Sequence, residues 1–320
     1  MTTVLPLTTK LPWLEDLQSA LERSLTADRL SHAVILQVSP GLGGHWLAMW
    51  LAARIFCTSS EAPQPCGACI ACRRICTGEQ PDYFLLQPSD DSKDIKIDQV
   101  RDLARDLSLT SHGGGRKVVI ISPADKLNRN AANALLKTLE EPPPGSLLLL
   151  VTGEPSRLPI TLQSRCTRLI VRKPTITSLV DWLRSQKSGD VDWRAVLEVL
   201  GCNPLDALEA DAMAITGLKR VTQHALDRAS TGALDVVETA DLWGRENYYL
   251  RIACIEAWIS ERIRESALGR KQWNTRRLFD TLQQSREARQ WADTPINKPL
   301  TIERLLWQIS SLAPRDAQRK

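Results

Sequence analysis

Ala33-Val34-Ile35-Leu36-Gln37-Val38-Ser39-Pro40-Gly41-Leu42-Gly43-Gly44-His45-Trp46 passes from an apolar β-rich run, through a glycine-rich turn, into a stretch that opens a helix at Trp46. That order is the setting of a P-loop, because backbone amides and the positive end of a helix dipole cradle phosphates there. A working loop reads G-x-x-x-x-G-K-[ST]. With Gly43 as the second fixed glycine, Val38 stands in the first glycine position, Gly44 in place of the lysine and His45 in place of the Ser/Thr. The lysine stabilises the β- and γ-phosphates and the hydroxyl coordinates Mg²⁺. Gly44 can do neither, and His45 is a poor ligand for a hard, oxygen-seeking ion. Pro40, Gly41, Gly43, Gly44 and His45 therefore read as a degenerate phosphate loop. Hydrolysis is not expected, while nucleotide binding through backbone amides is left open. The plainer alternative, a flexible turn with no ancestry in phosphate binding, is opposed by its place between strand and helix.

Working outward, a second test concerns the strand Lys117 to Ile121, which in an ATPase ends in acidic residues that hold Mg²⁺ and polarise the attacking water. Here the chain continues Ser122-Pro123-Ala124-Asp125. Ser122 and Pro123 stand where carboxylates are needed, and Asp125 comes too late. Further strands are predicted at Tyr83 to Gln87, Leu147 to Thr152 and Arg168 to Val171. Runs such as Val118 to Ile121 and Leu147 to Val151 are apolar at every position, as strands covered on both faces require. Ile97, Val100, Leu103, Ala104 and Leu107 recur at helical spacing. Asn130 to Leu139 reads as another helix, ended by Pro142-Pro143-Pro144-Gly145. Glu140 and Glu141 at its end oppose the helix dipole, which is locally unfavourable.

After Lys173-Pro174 only helical patterns follow, among them Leu179 to Arg184 and Arg194 to Leu200. The expected organisation is an α/β domain over 1–173, a doubly wound parallel sheet with a cysteine insertion at 57–72. A small helical domain over 174–214 and a helical domain over 215–320, starting close to Gly217, follow it. A chain of 320 residues suits more than one core. The formal net charge of +4 permits contact with a polyanion without implying a dedicated nucleic-acid binder. Arg262, Arg264, Arg270 and Lys271 fit ordinary solvated faces, with contact to a polyanion left open. No apolar run approaches the roughly 20 residues of a membrane helix. Met1 to Leu14 lacks the pattern of a signal peptide, so the expected location is a reducing cytoplasm.

In that compartment, eight cysteines are not expected to form a disulfide framework. Four of them, Cys57, Cys66, Cys69 and Cys72, share one short insertion with a C-x2-C-x2-C core, which suits a tetrahedral structural Zn²⁺ with no open position for catalysis. Arg73 and Arg74 lie where they could offset its charge, and Cys76 is an alternative fourth ligand.

Several motifs together resemble bacterial clamp-loader subunits: His32-Ala33 before the first strand, the Pro40 to Gly43 loop, the four cysteines, Pro81-Asp82-Tyr83, and Ile97-Asp98 leading to Val100-Arg101. More specific are Asn133-Ala134-Leu135-Leu136-Lys137-Thr138-Leu139-Glu140-Glu141-Pro142-Pro143 and Ser164-Arg165-Cys166. The resemblance spans about residues 11 to 210, and its nearest branch keeps the cysteines and Ser-Arg-Cys but not the ATPase lysine. It implies an AAA+ fold with a helical lid and a helical collar. It also implies a five-subunit ring with gamma/tau ATPase subunits and a delta subunit, which loads the sliding clamp onto primed DNA. In that setting ATP is bound by a neighbouring subunit, Arg165 reaches its γ-phosphate as an arginine finger, and Ser164 and Cys166 position the arginine. Active relatives carry a sensor arginine in the lid; Leu205 occupies that position here, within Gly201-Cys202-Asn203-Pro204-Leu205-Asp206-Ala207-Leu208. Two other functions compete with this one. A divergent active AAA+ ATPase is opposed by Gly44, Ser122, Pro123 and Leu205. A zinc-containing nucleic-acid-binding module is opposed by the absence, within the insertion, of interleaved aromatic and basic residues. Lys137 reads as a solvated helix charge.

Overall fold

The computed structural model describes residues 5–60, 65–112, 115–292 and 294–312. Residues 1–4 of the start read above and 61–64 of the cysteine insertion lie outside the described residues. Two compact units divide the chain, Met1–Pro174 and Thr175–Lys320.

The first unit is built on five parallel strands, β1 (Ala33–Gln37), β2 (Tyr83–Leu86), β3 (Lys117–Ile121), β4 (Ser146–Thr152) and β5 (Thr167–Ile170), in the order β2-β3-β4-β1-β5. Ala33 pairs with Leu148, Val118 with Leu147, and Val34 with Thr167. Strands β3 and β4 are buried along their whole length, which their uninterrupted apolar sequences require, since each must present side chains to two covered faces. The edge strand β5 is largely exposed and begins one residue before the predicted Arg168. Six helices accompany the sheet: α1 (Glu15–Thr26), α2 (Gly44–Phe56), α3 (Ile70–Thr77), α4 (Ile97–Ser108), α5 (Arg129–Glu140) and α6 (Ile160–Gln163). On one face, alternate residues Ile35, Val119, Ile121, Leu148 and Leu150 pack with Val100 and Leu103 of α4 and Leu135 and Leu139 of α5. Helix α2 packs against β1, β3 and β4. This is the doubly wound arrangement expected from the sequence. Because β1 lies between β4 and β5, the chain leaves it for the far edge of the sheet, and the loop at its C-terminal end occupies the switch point where such folds bind ligands.

Asn128 starts α5 by accepting a hydrogen bond from the Ala131 N–H at 2.8 Å, and the Gln99 side chain accepts from the Lys96 N–H ahead of α4. Each satisfies a donor that the first helical turn leaves without an intrahelical partner.

The second unit is helical in all its described elements: α7 (Ile176–Gln186), α8 (Trp193–Val199), α9 (Pro204–Glu209), α10 (Ala212–Ser230), α11 (Val236–Arg245), α12 (Tyr248–Ala267), α13 (Thr275–Gln290) and α14 (Lys298–Ser310). Thr175, Asp192, Asn203, Asp211, Asp235, Asn274 and Asn297 supply side-chain N-caps. The start expected close to Gly217 falls inside α10, which begins at Ala212 behind the Asp211 cap. A hydrophobic core of this unit gathers Trp243, Trp258, Ile252, Ile255, Leu278 and Leu306.

One of the four basic residues departs from a solvated face. Arg262 is not a solvated charge: its side chain is 14 % exposed and bonds Asp227 at 2.8 Å, while its guanidinium sits 4.7 Å from the Trp258 ring. Burial of its stem and stacking on an indole hold it against the core. Arg264, Arg270 and Lys271 are exposed as expected. Among the described residues no helix is long and apolar enough to cross a membrane.

Candidate functional site

The loop after β1 has the backbone of a phosphate cradle. Gly41 and Gly43 adopt positive φ, 72° and 83°, a conformation that glycine enters without steric cost, and α2 begins at Gly44. What surrounds that backbone is apolar. A Cβ at position 44 would stand 2.8 Å from Val151 Cγ1 and 2.9 Å from Val38 Cβ, closer than carbon atoms pack. Val38 and Val151 thus occupy the space into which a lysine stem would have to grow. Leu42 is buried; its N–H donates to the Ser39 carbonyl and its carbonyl accepts from Trp13 Nε1 at 2.8 Å. Trp46 Nε1 donates to the Pro6 carbonyl at 3.1 Å, so two indoles tie the N-terminal segment to the loop and its helix. Burial lowers the His45 pKa from 6.5, favouring a neutral imidazole that brings no positive charge to an anion.

At the end of β3, Ser122 and Pro123 occupy the acidic positions, as read from the sequence. Asp125 is engaged elsewhere: its carboxylate accepts from Thr152 Oγ1 at 2.8 Å, and Thr152 in turn accepts from the Glu154 N–H. Leu205, in α9 of the second unit, is half-buried and offers no charge.

The cysteine insertion closes on itself. The sulfurs of Cys57, Cys66, Cys69 and Cys72 all lie within 4.8 Å of one another. Four thiolates about 2.3 Å from a Zn²⁺ would stand roughly 3.8 Å apart by tetrahedral geometry, so the set is compatible with a metal ion after a small contraction. Backbone amides support negative sulfur. The Cys66 N–H points to Cys57 Sγ at 3.5 Å, the Cys69 N–H to Cys66 Sγ at 3.3 Å and the Cys72 N–H to Cys69 Sγ at 3.4 Å. The amides of Ala68 and Cys69 hold the Cys66 thiol below its ordinary range, whereas burial pushes the enclosed Cys72 up. Cys76, the alternative fourth ligand, is exposed on α3 and outside the group. Arg73 and Arg74 are exposed on the same helix.

Ser164-Arg165-Cys166 turns out of α6 toward β5. The Ser164 hydroxyl donates back to the Thr161 carbonyl at 3.1 Å. Cys166 packs inward against the sheet core, and burial pushes its thiol up to about 11. Between them Arg165 is exposed. Its Nη1 donates to the Thr161 carbonyl at 2.8 Å, and its Nη2 pairs with Glu140 Oε1 at 2.6 Å. In the sequence Glu140 is a charge opposed to its helix dipole, with an interface role left undecided; its partner lies in another element.

Comparison with known proteins places these features together. A family model described as DNA polymerase III, delta subunit, matches residues 13–175. DNA polymerase III subunit delta' of Pseudomonas aeruginosa is 37% identical over 226 residues, which cover 67% of this chain and 68% of that protein. The delta' subunit of Escherichia coli is 38% identical over 172 residues, covering 54% of this chain and 52% of its own length. DNA polymerase III subunit tau of Bacillus subtilis is 30% identical over 227 residues, 71% of this chain and 38% of that protein. The match thus spans about two thirds of the first of these relatives, about half of the second and 38% of the third. Among solved structures, a DNA polymerase III gamma subunit-related protein from Thermotoga maritima aligns at a TM-score of 0.50 and 19% identity over 94% of this chain and 99% of its own, a likeness of fold alone.

Proposed function

The chain belongs to the delta-prime family of DNA polymerase III clamp-loader subunits, and from that premise we propose that it is a non-hydrolysing member that completes a neighbour's ATP site with Arg165. The observation that carries the first half is the filled phosphate loop. Val38 and Val151 crowd position 44, His45 tends to the neutral form, and Asp125 is committed to Thr152, so neither the cation nor the metal ligands of phosphoryl transfer are supplied. In support of the second half, Arg165 is held outward by Ser164 and by the half-buried Cys166. A guanidinium so placed suits the γ-phosphate of ATP bound by an adjacent subunit of the gamma/tau type, where it would stabilise charge developing in the transition state. The ring so formed, with a delta subunit, would load the sliding clamp onto primed DNA in the cytoplasm.

Cys57, Cys66, Cys69 and Cys72 would hold a structural Zn²⁺. Its chemistry is to fix the insertion, since four sulfurs leave no open position. Purified chain should carry one equivalent of zinc, and chelation should lower its melting temperature; zinc-free protein of unchanged stability rejects the assignment.

The decisive test is reconstitution with tau-type ATPase, delta and clamp subunits. Arg165→Ala should leave assembly intact while sharply reducing DNA-stimulated ATP hydrolysis and clamp loading. Unchanged rates would remove the arginine finger. Hydrolysis by the homogeneous chain alone would return it to the active ATPases.

A further inference from the structure

We infer that Glu140 is a positioning residue for Arg165: it holds the guanidinium ready for a neighbour's phosphate and is not a mere surface charge. The inference rests on the reading of Arg165 as a trans-acting finger. Two elements grip the guanidinium, the α6 carbonyl of Thr161 on Nη1 at 2.8 Å and the carboxylate of Glu140 on Nη2 at 2.6 Å. A guanidinium carries five N–H donors; these two bonds and a longer one from Nη1 to Ser164 Oγ at 3.5 Å leave two, which is what a phosphate taken in bidentate fashion needs. The arginine can therefore be held at its base and still receive an anion.

Glu140 has no local reason to be where it is. It is the last residue of α5, where a carboxylate faces the negative end of the helix dipole, and Glu141 follows it. Arg165 supplies the missing compensation. Both side chains are more than a third exposed, 37% and 50%, so the pair adds little to stability. Its effect is to restrict a long side chain that would otherwise sample many rotamers. Helix α5 is in turn anchored through Leu135 and Leu139 to the same core that receives Cys166. The carboxylate thus transmits the rigidity of the sheet to the guanidinium.

The test uses the reconstituted complex with primed DNA. Glu140→Ala should lower kcat for ATP by about three- to ten-fold with the half-saturating ATP concentration unchanged, the pattern of lost preorganisation in the transition state. Glu140→Asp should recover part of that loss, Glu141→Ala should match the wild type, and the melting temperature of each chain should not move. In the Arg165→Ala background, Glu140→Ala should cost nothing further, because the two act as one unit. A wild-type rate for Glu140→Ala while Arg165→Ala fails overturns the positioning role and leaves the finger standing. A rate above wild type also overturns it, since Glu140 would then mask the arginine. An equal loss in Glu141→Ala or in the Arg165→Ala background makes the effect one of general charge or folding. Normal rates for Arg165→Ala refute the finger itself, and the inference with it.

Discussion

The loop at Pro40 to His45 and the turn at Ser164 to Cys166 belong to the same unit, yet they have met opposite fates. At the loop, the positions that serve phosphate have been taken over by packing: Val38 and Val151 press on Gly44, Leu42 is buried, and two indoles bond the Pro6 and Leu42 carbonyls. At the turn, a charged side chain remains exposed and is held by a carbonyl and a carboxylate. Apolar side chains closing over a vacated site recover free energy from burial at roughly 25 cal/mol per Å². An arginine kept at the surface recovers almost none. Packing alone accounts for the filled loop, whereas it gives no account of an exposed arginine at the turn, for which the proposed trans role supplies one.

Two substitutions should separate these regions in opposite assays. The largest effect belongs to Arg165→Ala, expected to slow hydrolysis on the order of a thousand-fold at the neighbouring site of the proposed complex, the lower end for trans arginines, with no change in the melting temperature of the free chain. Gly44→Ala should do the reverse. Alanine is the better helix former by about 1 kcal/mol, so propensity alone forecasts stabilisation. A Cβ 2.8 Å from Val151 Cγ1 and 2.9 Å from Val38 Cβ forecasts a loss of about 1–3 kcal/mol from overpacking, with rates in the assembled complex unchanged. Urea unfolding decides the sign. The cost should shrink in a Val38→Gly background, where one clash is gone. A stabilised Gly44→Ala protein would mean that the loop is open after all, and the contrast with the turn would collapse.

Much of this was legible before the structure. The uninterrupted runs at 118–121 and 147–151 announce a buried parallel sheet because they are too short for a buried helix and are bounded by turn residues. The replaced lysine and hydroxyl are visible as Gly44 and His45, and the spacing of Cys66, Cys69 and Cys72 carries its own geometry. Hidden features share a different property: each depends on residues brought together by crossovers. Val151 reaches Gly44 only because β4 lies beside β1, and Glu140 meets Arg165 only because α5 packs on α6. From the sequence, Glu140 shows a local conflict with its helix and nothing of the remedy. Arg262 misled for a related reason, since a charged residue on a helix reads as solvated until the Trp258 ring beneath it is known.

The smallest effect expected concerns His45 and probes how dry the loop is. Its pKa is lowered from 6.5 by burial, so the folded chain resists protonation that the unfolded chain accepts. Between the folded value and 6.5 the unfolded state binds more protons. Stability is therefore complete above 6.5 and falls as the pH drops through that window. Replacing the imidazole by a neutral group of similar size, His45→Asn, should flatten this acid-side slope in urea unfolding at a series of pH values, while stability near neutrality changes little. If the slope persists unchanged, the imidazole is hydrated, and the loop retains room for a solvated ligand that packing by Val38, Leu42 and Val151 would otherwise deny. The same series run on Arg165→Ala should be superimposable on the wild type, because that side chain is exposed in the folded chain. A loop that titrates with folding beside a turn that does not would express the contrast between the two regions as a difference in solvation.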